Sequence, residues 1–364
     1  MRLKLPESLL ARLLIVAAGL LLLSEVGLRV FIGYNSRWDV RLGADKQLDP
    51  VTQFRNKPFF EIGPGYLTNE LGYRAPPHLQ RELPAHSLRL VYLGDSASVL
   101  PRLDNYPKQV ETLLEPALGV DVETVNAAVP GFSSENARLL FETELSQFDG
   151  HYFFVYLGWN DLGQYGPEGL PYKRHETGYP ISPLERALSS LYTPRFFYAA
   201  AEVLRHYEST VNRALSPQEE ALYAAYRPDH FYNNLHAILS LARRRYPRVY
   251  VMTLATITNA DPTDEEMRKA HFPTGMDRNI HKLDVLVSKF DDAVRTVARE
   301  ENVPLIDLHA LFDSHEARQH FRDSCHMDEV GAGRVARAVA DTILEREAER
   351  PSVPGEAPTP FAVR

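Results

Sequence analysis

LRLVYLGDSASV, residues 88–99, is a continuous apolar run that stops abruptly on Gly-Asp-Ser. It lacks the polar alternation of a half-solvated strand, so it reads as a strand covered on both faces. Such a strand has no obvious reason to end on a small residue and give the next two places to an acid and a hydroxyl. Gly94 is expected to permit a sharp turn off the strand. Asp95 is expected to brace the loop through backbone N–H groups. That leaves Ser96 exposed at the first turn of a helix, whose positive end favours nearby negative charge.

Working outward, apolar runs alternate with helical patterns. Strands are expected at 88–93, 120–125, 151–157 (HYFFVYL), 249–254 (VYVMTL) and 304–308. Helices are expected at 106–118, 134–144, 283–300 and 331–346. Strand, helix, strand in alternation implies an α/β fold: a parallel sheet with helices on both faces, three layers in all. The rhythm breaks between Asn160 and Val249, where no clear strand stands and Tyr, Phe, Pro and Arg abound. Residues 162–245 read as a mainly helical insertion, either extra helices on the domain flank or a lid that shapes a substrate groove.

The chain has 364 residues, 44% hydrophobic and 24% charged, an ordinary globular composition long enough for a sizeable core. A net charge of −8 argues against nucleic-acid binding, which needs a basic face. Cys325 is the only cysteine, so an intrachain disulfide and a cysteine zinc site are both excluded. It reads as a small buried residue.

Residues 9–32 are LLARLLIVAAGLLLLSEVGLRVFI. The unbroken apolar core, 13–23, falls short of the ~20 residues a spanning helix needs, but its flanks bring it to that length. Arg12 and Arg29 can reach toward headgroups, and Glu25 and Arg29 form an i, i+4 pair. Leu-Ser-Glu-Val-Gly follows where a signal peptidase would need small residues, so an uncleaved signal anchor is expected over residues 1–33, with a short cytoplasmic stub. Arg2, Lys4 and Arg12 before the run nearly balance Arg29, Arg37 and Arg41 after it. The expected arrangement is a single pass through the inner (cytoplasmic) membrane with the body on the periplasmic side. Residues 34–87 read as an irregular lead-in, 88–348 as the catalytic domain, and the Pro-rich 349–364 as a disordered tail.

In open parallel sheets, ligands bind outside the carboxyl ends of the strands. There the sequence delivers Gly94-Asp95-Ser96, then Pro130-Gly131-Phe132-Ser133-Ser134, then Gly158-Trp159-Asn160-Asp161, and finally Asp323-Ser324-Cys325-His326. A serine hydroxyl needs a base, and His326 is one near neutral pH. Asp323 can orient the imidazole and stabilise its charged form. The backbone N–H groups of Ser96 and Gly131 and the Asn160 amide can supply an oxyanion hole.

These four blocks, in this order, resemble those of the SGNH/GDSL hydrolase superfamily. The resemblance extends from about 88 to 343, apart from the insertion, and the earlier NELGYR (Asn69–Arg74) is similar to a lead-in of its membrane-anchored bacterial members. It implies a flavodoxin-like α/β/α fold, Ser96 as nucleophile, His326 as base, Asp323 as its partner, and Ser96, Gly131 and Asn160 as the oxyanion hole. It implies no metal or organic cofactor. Ala-Ser-Val-Leu follows Ser96 where many members carry Ser/Thr and then Gly, which affects the expected shape of the substrate entrance.

Other patterns carry less. Gly331-Ala-Gly333-Arg-Val-Ala336 fits a dinucleotide motif but follows a loop rather than a strand. His315 and His320 lack a convincing carboxylate set for a metal. Asp261, Asp264, Glu265 and Glu266 read as a solvated helix start. The expected activity is a serine esterase acting through an acyl-enzyme on an O-acyl ester of a carbohydrate or glycolipid. The alternatives are O-acetyl transfer to an envelope polysaccharide, or a catalytically silent envelope assembly protein.

Overall fold

The computed structural model describes residues 9–34, 45–63, 66–83, 86–100, 103–164, 183–184, 187, 191–194, 196–197, 210–273 and 276–349. Five strands form one sheet: β1 (Ser87–Gly94), β2 (Asp121–Asn126), β3 (Tyr152–Tyr156), β4 (Val249–Met252) and β5 (Leu305–Ile306). Their spatial order is β2-β1-β3-β4-β5, and every neighbouring pair is parallel. This is the doubly wound, flavodoxin-like order, whose direction of winding reverses between β1 and β3.

Ring packing explains the unbroken apolar runs. β3 reads YFFVY and all five residues are buried. Register pairs Tyr92 with Phe154 and Phe154 with Tyr250, and their rings stack at 5.0 and 5.4 Å. That face meets Tyr106 at the start of helix α2 (Tyr106–Leu118), 5.7 Å from Tyr92. One residue away, Phe153 points to the opposite face. It stacks on Phe141 of α3 (Ser134–Thr143) at 4.8 Å and on Tyr246 at 4.6 Å. With both faces covered, polar alternation would place polar groups in the core.

The helices complete the two outer layers. α7 (Glu329–Ala348) packs on α2, while α5 (Asp229–Arg245) packs on both α3 and α6 (Ile280–Glu300). α5 comes from the end of the 162–245 stretch and buries Phe231, Leu235, Ile238, Leu239 and Ala242. It is the crossover between β3 and β4. Part of the stretch that reads as flank helices or a lid, including 165–182 and 198–209, lies outside the described residues, as do residues 1–8 and the tail from 350.

Two compact units partition the chain: Asn56–Thr177 with Ser209–Arg364, which holds the sheet, and Met1–Arg55 with Gly178–Glu208. In the second unit, α1 (Leu9–Tyr34) contains Ala11–Phe31, long and apolar enough to cross a membrane, with most leucines exposed. In the first unit, the lead-in forms a short antiparallel pair, Glu61–Gly63 with Tyr66–Leu67. It then bridges Arg74 to Asn126 at the edge of β2. The Asn69 side chain organises NELGYR by accepting from Leu71 N at 3.0 Å and Tyr73 N at 2.9 Å.

One cation ties the lead-in to the sheet. Arg89, on β1, is 1% exposed. It pairs with Glu123, its register partner on β2, and donates to the carbonyls of Gln80 at 2.9 Å and Asp149 at 3.1 Å. Replacing it with an apolar residue leaves those acceptors without the donor. Arg89→Leu is therefore expected to lower unfolding free energy by about 3–5 kcal/mol, measured by urea denaturation of the detergent-solubilised protein. A loss below about 1 kcal/mol would show that water substitutes for the guanidinium.

Candidate active site

The turn after β1 answers the opening question, with a different role for its glycine. Gly94 does not adopt a left-handed conformation; it is needed for space. A Cβ there would stand 2.4 Å from Ser98 Oγ and 3.0 Å from the carbonyl oxygen of Tyr156. Asp95 is the brace, accepting from Ala97 N at 2.9 Å. Ser96 opens a three-residue 3-10 turn, Ser96–Ser98, and the α-helix expected at 106–118 follows as α2 from Tyr106.

From that turn Ser96 Oγ lies 2.8 Å from His326 Nε2. His326 Nδ1 lies 2.6 Å from Asp323 Oδ2. The other carboxylate oxygen of Asp323 accepts from Cys325 N at 3.0 Å and His326 N at 2.9 Å, so the loop wraps its own acid. Burial alone would raise Asp323. The hydrogen bond and charge of His326, with those two N–H groups, outweigh burial and hold the carboxyl near 2. Burial likewise disfavours a charged His326, but Asp323, then Asp95, lift its pKa above the ordinary histidine value.

The two remaining blocks meet the same turn. The loop after β2 runs beside Gly94, whose carbonyl accepts from Val129 N at 3.2 Å. Gly131 has φ +92, a conformation that favours glycine. Asn160 begins the short helix α4 (Trp159–Gln164) after β3. Its Nδ2 donates to Phe132 O at 3.0 Å and Asp95 Oδ2 at 3.3 Å. Ser96, Gly131, Asn160, Asp323 and His326 thus lie on segments linked to one another by hydrogen bonds.

Several supporting residues escaped sequence reasoning. Asp161 is buried and accepts from Ser134 N at 2.9 Å and Ser134 Oγ at 2.6 Å, locking α4 to the start of α3. Asn234 donates to Ser134 Oγ at 3.0 Å, and Arg138 donates to Asn234 at 2.9 Å. Asn126 donates to Ser98 O at 2.8 Å, and Asn56 donates to Ala128 O at 3.1 Å. Burial pushes Asp161 up to about 7, despite the pull of Ser134. Burial pushes Asp95 up to about 6, despite the Ala97 N–H and His326.

Among the described residues, the atoms of Asp323, Cys325 and His326 lie within 4.8 Å of one another, a spacing that can hold a metal ion. Both ring nitrogens of His326 are already engaged, and burial pushes the Cys325 thiol well above its usual range, which disfavours the thiolate a metal requires. Of the acidic stretch, Asp261, Asp264 and Glu265 are exposed as expected, but Glu266 is not. Glu266 is buried, caps its helix through Thr263, and meets Arg318 at 2.7 Å and His315 at 3.3 Å.

A doubly wound sheet with a serine after its first strand in contact with a histidine and aspartate from the loop before the last helix is the arrangement of SGNH serine hydrolases. The chain belongs to the GDSL-like lipase/acylhydrolase family, whose model matches residues 92–334. It is therefore an esterase or acylhydrolase. A search of curated proteins returns no match. Among solved structures, the chain is similar to the acetyl xylan esterase AlAXEase, with 15% identity over 70% of this chain and 100% of that one, and a TM-score of 0.43. It is similar to the acetylxylan esterase Axe2 from Geobacillus stearothermophilus, with 15% identity over 70% and 94% and a TM-score of 0.42. LAE5, an alpha/beta hydrolase from the metagenome of Lake Arreo, Spain, gives 16% over 72% and 98% with a TM-score of 0.43.

For His326 in the role of base expected from the sequence, its lifted pKa sets the sign of the pH dependence, since a base must be unprotonated. The acid limb of kcat/KM for an ester is expected to have its midpoint above 6.5, the ordinary histidine value. Asp323→Asn is expected to shift that midpoint down and lower kcat on the order of 10³–10⁴-fold. A midpoint that stays put in Asp323→Asn would assign the limb to another group.

Proposed function

We propose that the protein is a membrane-anchored serine esterase that cleaves an O-acyl ester of a carbohydrate or glycolipid through an acyl-enzyme on Ser96. The observation that carries this reading is the contact chain Ser96 Oγ–His326 Nε2 at 2.8 Å and His326 Nδ1–Asp323 Oδ2 at 2.6 Å. His326 Nε2 takes the hydroxyl proton as Ser96 Oγ bonds to the ester carbonyl carbon, and the carbonyl electrons move onto oxygen. The tetrahedral intermediate collapses, the carbon–alkoxide bond breaks, and the alcohol leaves with the proton from His326. Water then attacks the acyl-enzyme under the same base, releasing the carboxylic acid and restoring Ser96. Asp323 stays ionised throughout and stabilises the imidazolium.

The developing oxyanion is met by the backbone N–H groups of Ser96 and Gly131 and by Asn160 Nδ2. Of the two acceptors Asn160 holds at rest, Asp95 is the more distant, and that contact is the one to be surrendered to an oxyanion. The tyrosine-rich stretch 162–245 supports a sugar-bearing substrate, because aromatic faces stack on sugar rings. The apolar span Ala11–Phe31 supports the anchor, with the catalytic domain on the periplasmic side of the cytoplasmic membrane.

A fluorophosphonate probe is expected to label wild type and not Ser96→Ala. Turnover of a short-chain nitrophenyl ester is expected to fall on the order of 10³–10⁴-fold in the same variant. Equal labelling of the two proteins would sink the serine reading and favour a silent assembly protein. Asn160→Ala is expected to reduce kcat on the order of 10²–10³-fold, with KM little changed; a change confined to KM would make Asn160 a substrate contact instead. With sugar acceptors present, acylated sugar detected by mass in place of free acid would assign transfer rather than hydrolysis. A reporter fused after Arg364 is expected to be active only outside the cytoplasm.

A further inference from the structure

Glu25 is out of place on α1. Among the described residues of that helix it alone is buried, while the leucines around it are exposed. Its carboxylate is saturated. Oε1 accepts from Tyr192 N at 3.0 Å and from Arg29 Nε at 2.9 Å. Oε2 accepts from Thr193 N at 2.9 Å and Thr193 Oγ1 at 3.0 Å. Ser24 Oγ lies 3.1 Å from Thr193 Oγ1, and the Arg29 guanidinium sits 5.0 Å from the centre of the Tyr192 ring.

These distances fix a depth. The span Ala11–Phe31 has 21 residues, about 31 Å of helix at ~1.5 Å per residue, the thickness of a bilayer's hydrocarbon. Glu25 lies about 9 Å inside the Phe31 end of that span. An unpaired carboxylate there is costly, and so is an unpaired backbone N–H. Each group satisfies the other. Hydrogen bonds of 3 Å leave Tyr192 and Thr193 no choice but to share the depth of Glu25.

The described residues flanking that contact are suited to the same medium. Leu184 and Phe197 are each 66% exposed, and Leu191 and Phe196 are also exposed. Resting on the reading of α1 as a membrane anchor, we propose that the segment carrying Tyr192 and Thr193, with Leu184, Leu191, Phe196 and Phe197, inserts beside it into the acyl-chain region of the phospholipid bilayer, clasped at depth by Glu25. The anchor then has two parts: a spanning helix and a segment from far along the chain that re-enters the lipid. Arg29, one turn nearer the membrane surface than Glu25, closes the polar contact and reaches toward the headgroups.

The test places single cysteines at Leu21, Phe197 and Gln218, labels each with a nitrobenzoxadiazole fluorophore, and reconstitutes the full-length protein in phosphatidylcholine vesicles carrying doxyl-labelled chains. Wild type, whose one cysteine is buried, is the unlabelled background. The label at 21 and the label at 197 are each expected to lose at least half their fluorescence, and the label at the exposed, polar Gln218 to lose almost none. Adding Glu25→Leu is expected to abolish quenching at 197 while leaving it at 21. Quenching at 21 without quenching at 197 would overturn the clasp and leave the anchor standing. Absence of quenching at 21 would overturn the anchor itself. Quenching at 197 that persists in Glu25→Leu would show that Glu25 is not what holds the segment.

Discussion

Parallel pairing is the constraint from which the rest follows. Because β1 to β5 all run one way, every strand ends at the same rim, and every return must cross a face of the sheet. Winding outward from β1 in both directions sends the loops after β1 and β3 to opposite sides and opens a crevice between them. Ser96 follows β1, Asn160 follows β3 and Gly131 follows β2. The stacked rings of Tyr92, Phe154 and Tyr250 on one face, and of Phe153 with Phe141 and Tyr246 on the other, cover the sheet and hold these ends in register.

The rim itself is held by short polar side chains. Asp95 turns the chain after β1, Asn126 reaches Ser98 O, and Asp161 grips Ser134. Each link is one or two hydrogen bonds between buried groups, so each donor lost leaves an acceptor stranded without water. Small acids and amides suit this task because few rotatable bonds need fixing. The same economy appears on α1, where one carboxylate satisfies two backbone N–H groups, a hydroxyl and a guanidinium.

Much of this was legible in the residues. HYFFVYL and VYVMTL are recognisable because burial on both faces leaves no room for polar residues. Ser96 stood out through its position at a strand end, and Asp323 and His326 through their spacing ahead of the last helix. The steric need for Gly94 was hidden, because Ser98 and the Tyr156 carbonyl approach it only in the folded chain. Glu266 was misread as solvated because Arg318, 52 positions away, supplies its partner. Asn56, Asn126 and Asn234 were invisible, since an asparagine between elements looks like a turn former whatever it touches. α5 was masked by its surroundings, although Phe231, Leu235, Ile238, Leu239 and Ala242 already trace one helical face.

Asp161 carries a consequence for working range. Its carboxyl ionises near 3.8 when the chain is unfolded but near 7 when folded, so its contribution to stability is complete in acid. That contribution drains away as pH climbs from about 4 to about 7 and changes little beyond. Asp323 has the opposite sign and its contribution fades only as pH drops toward 2. Alkalinisation therefore deprotonates His326 while it also charges Asp161, a buried carboxyl held by Ser134. One rise in pH thus does two opposite things at this rim: it removes the charge from an imidazole and places a charge where water is excluded.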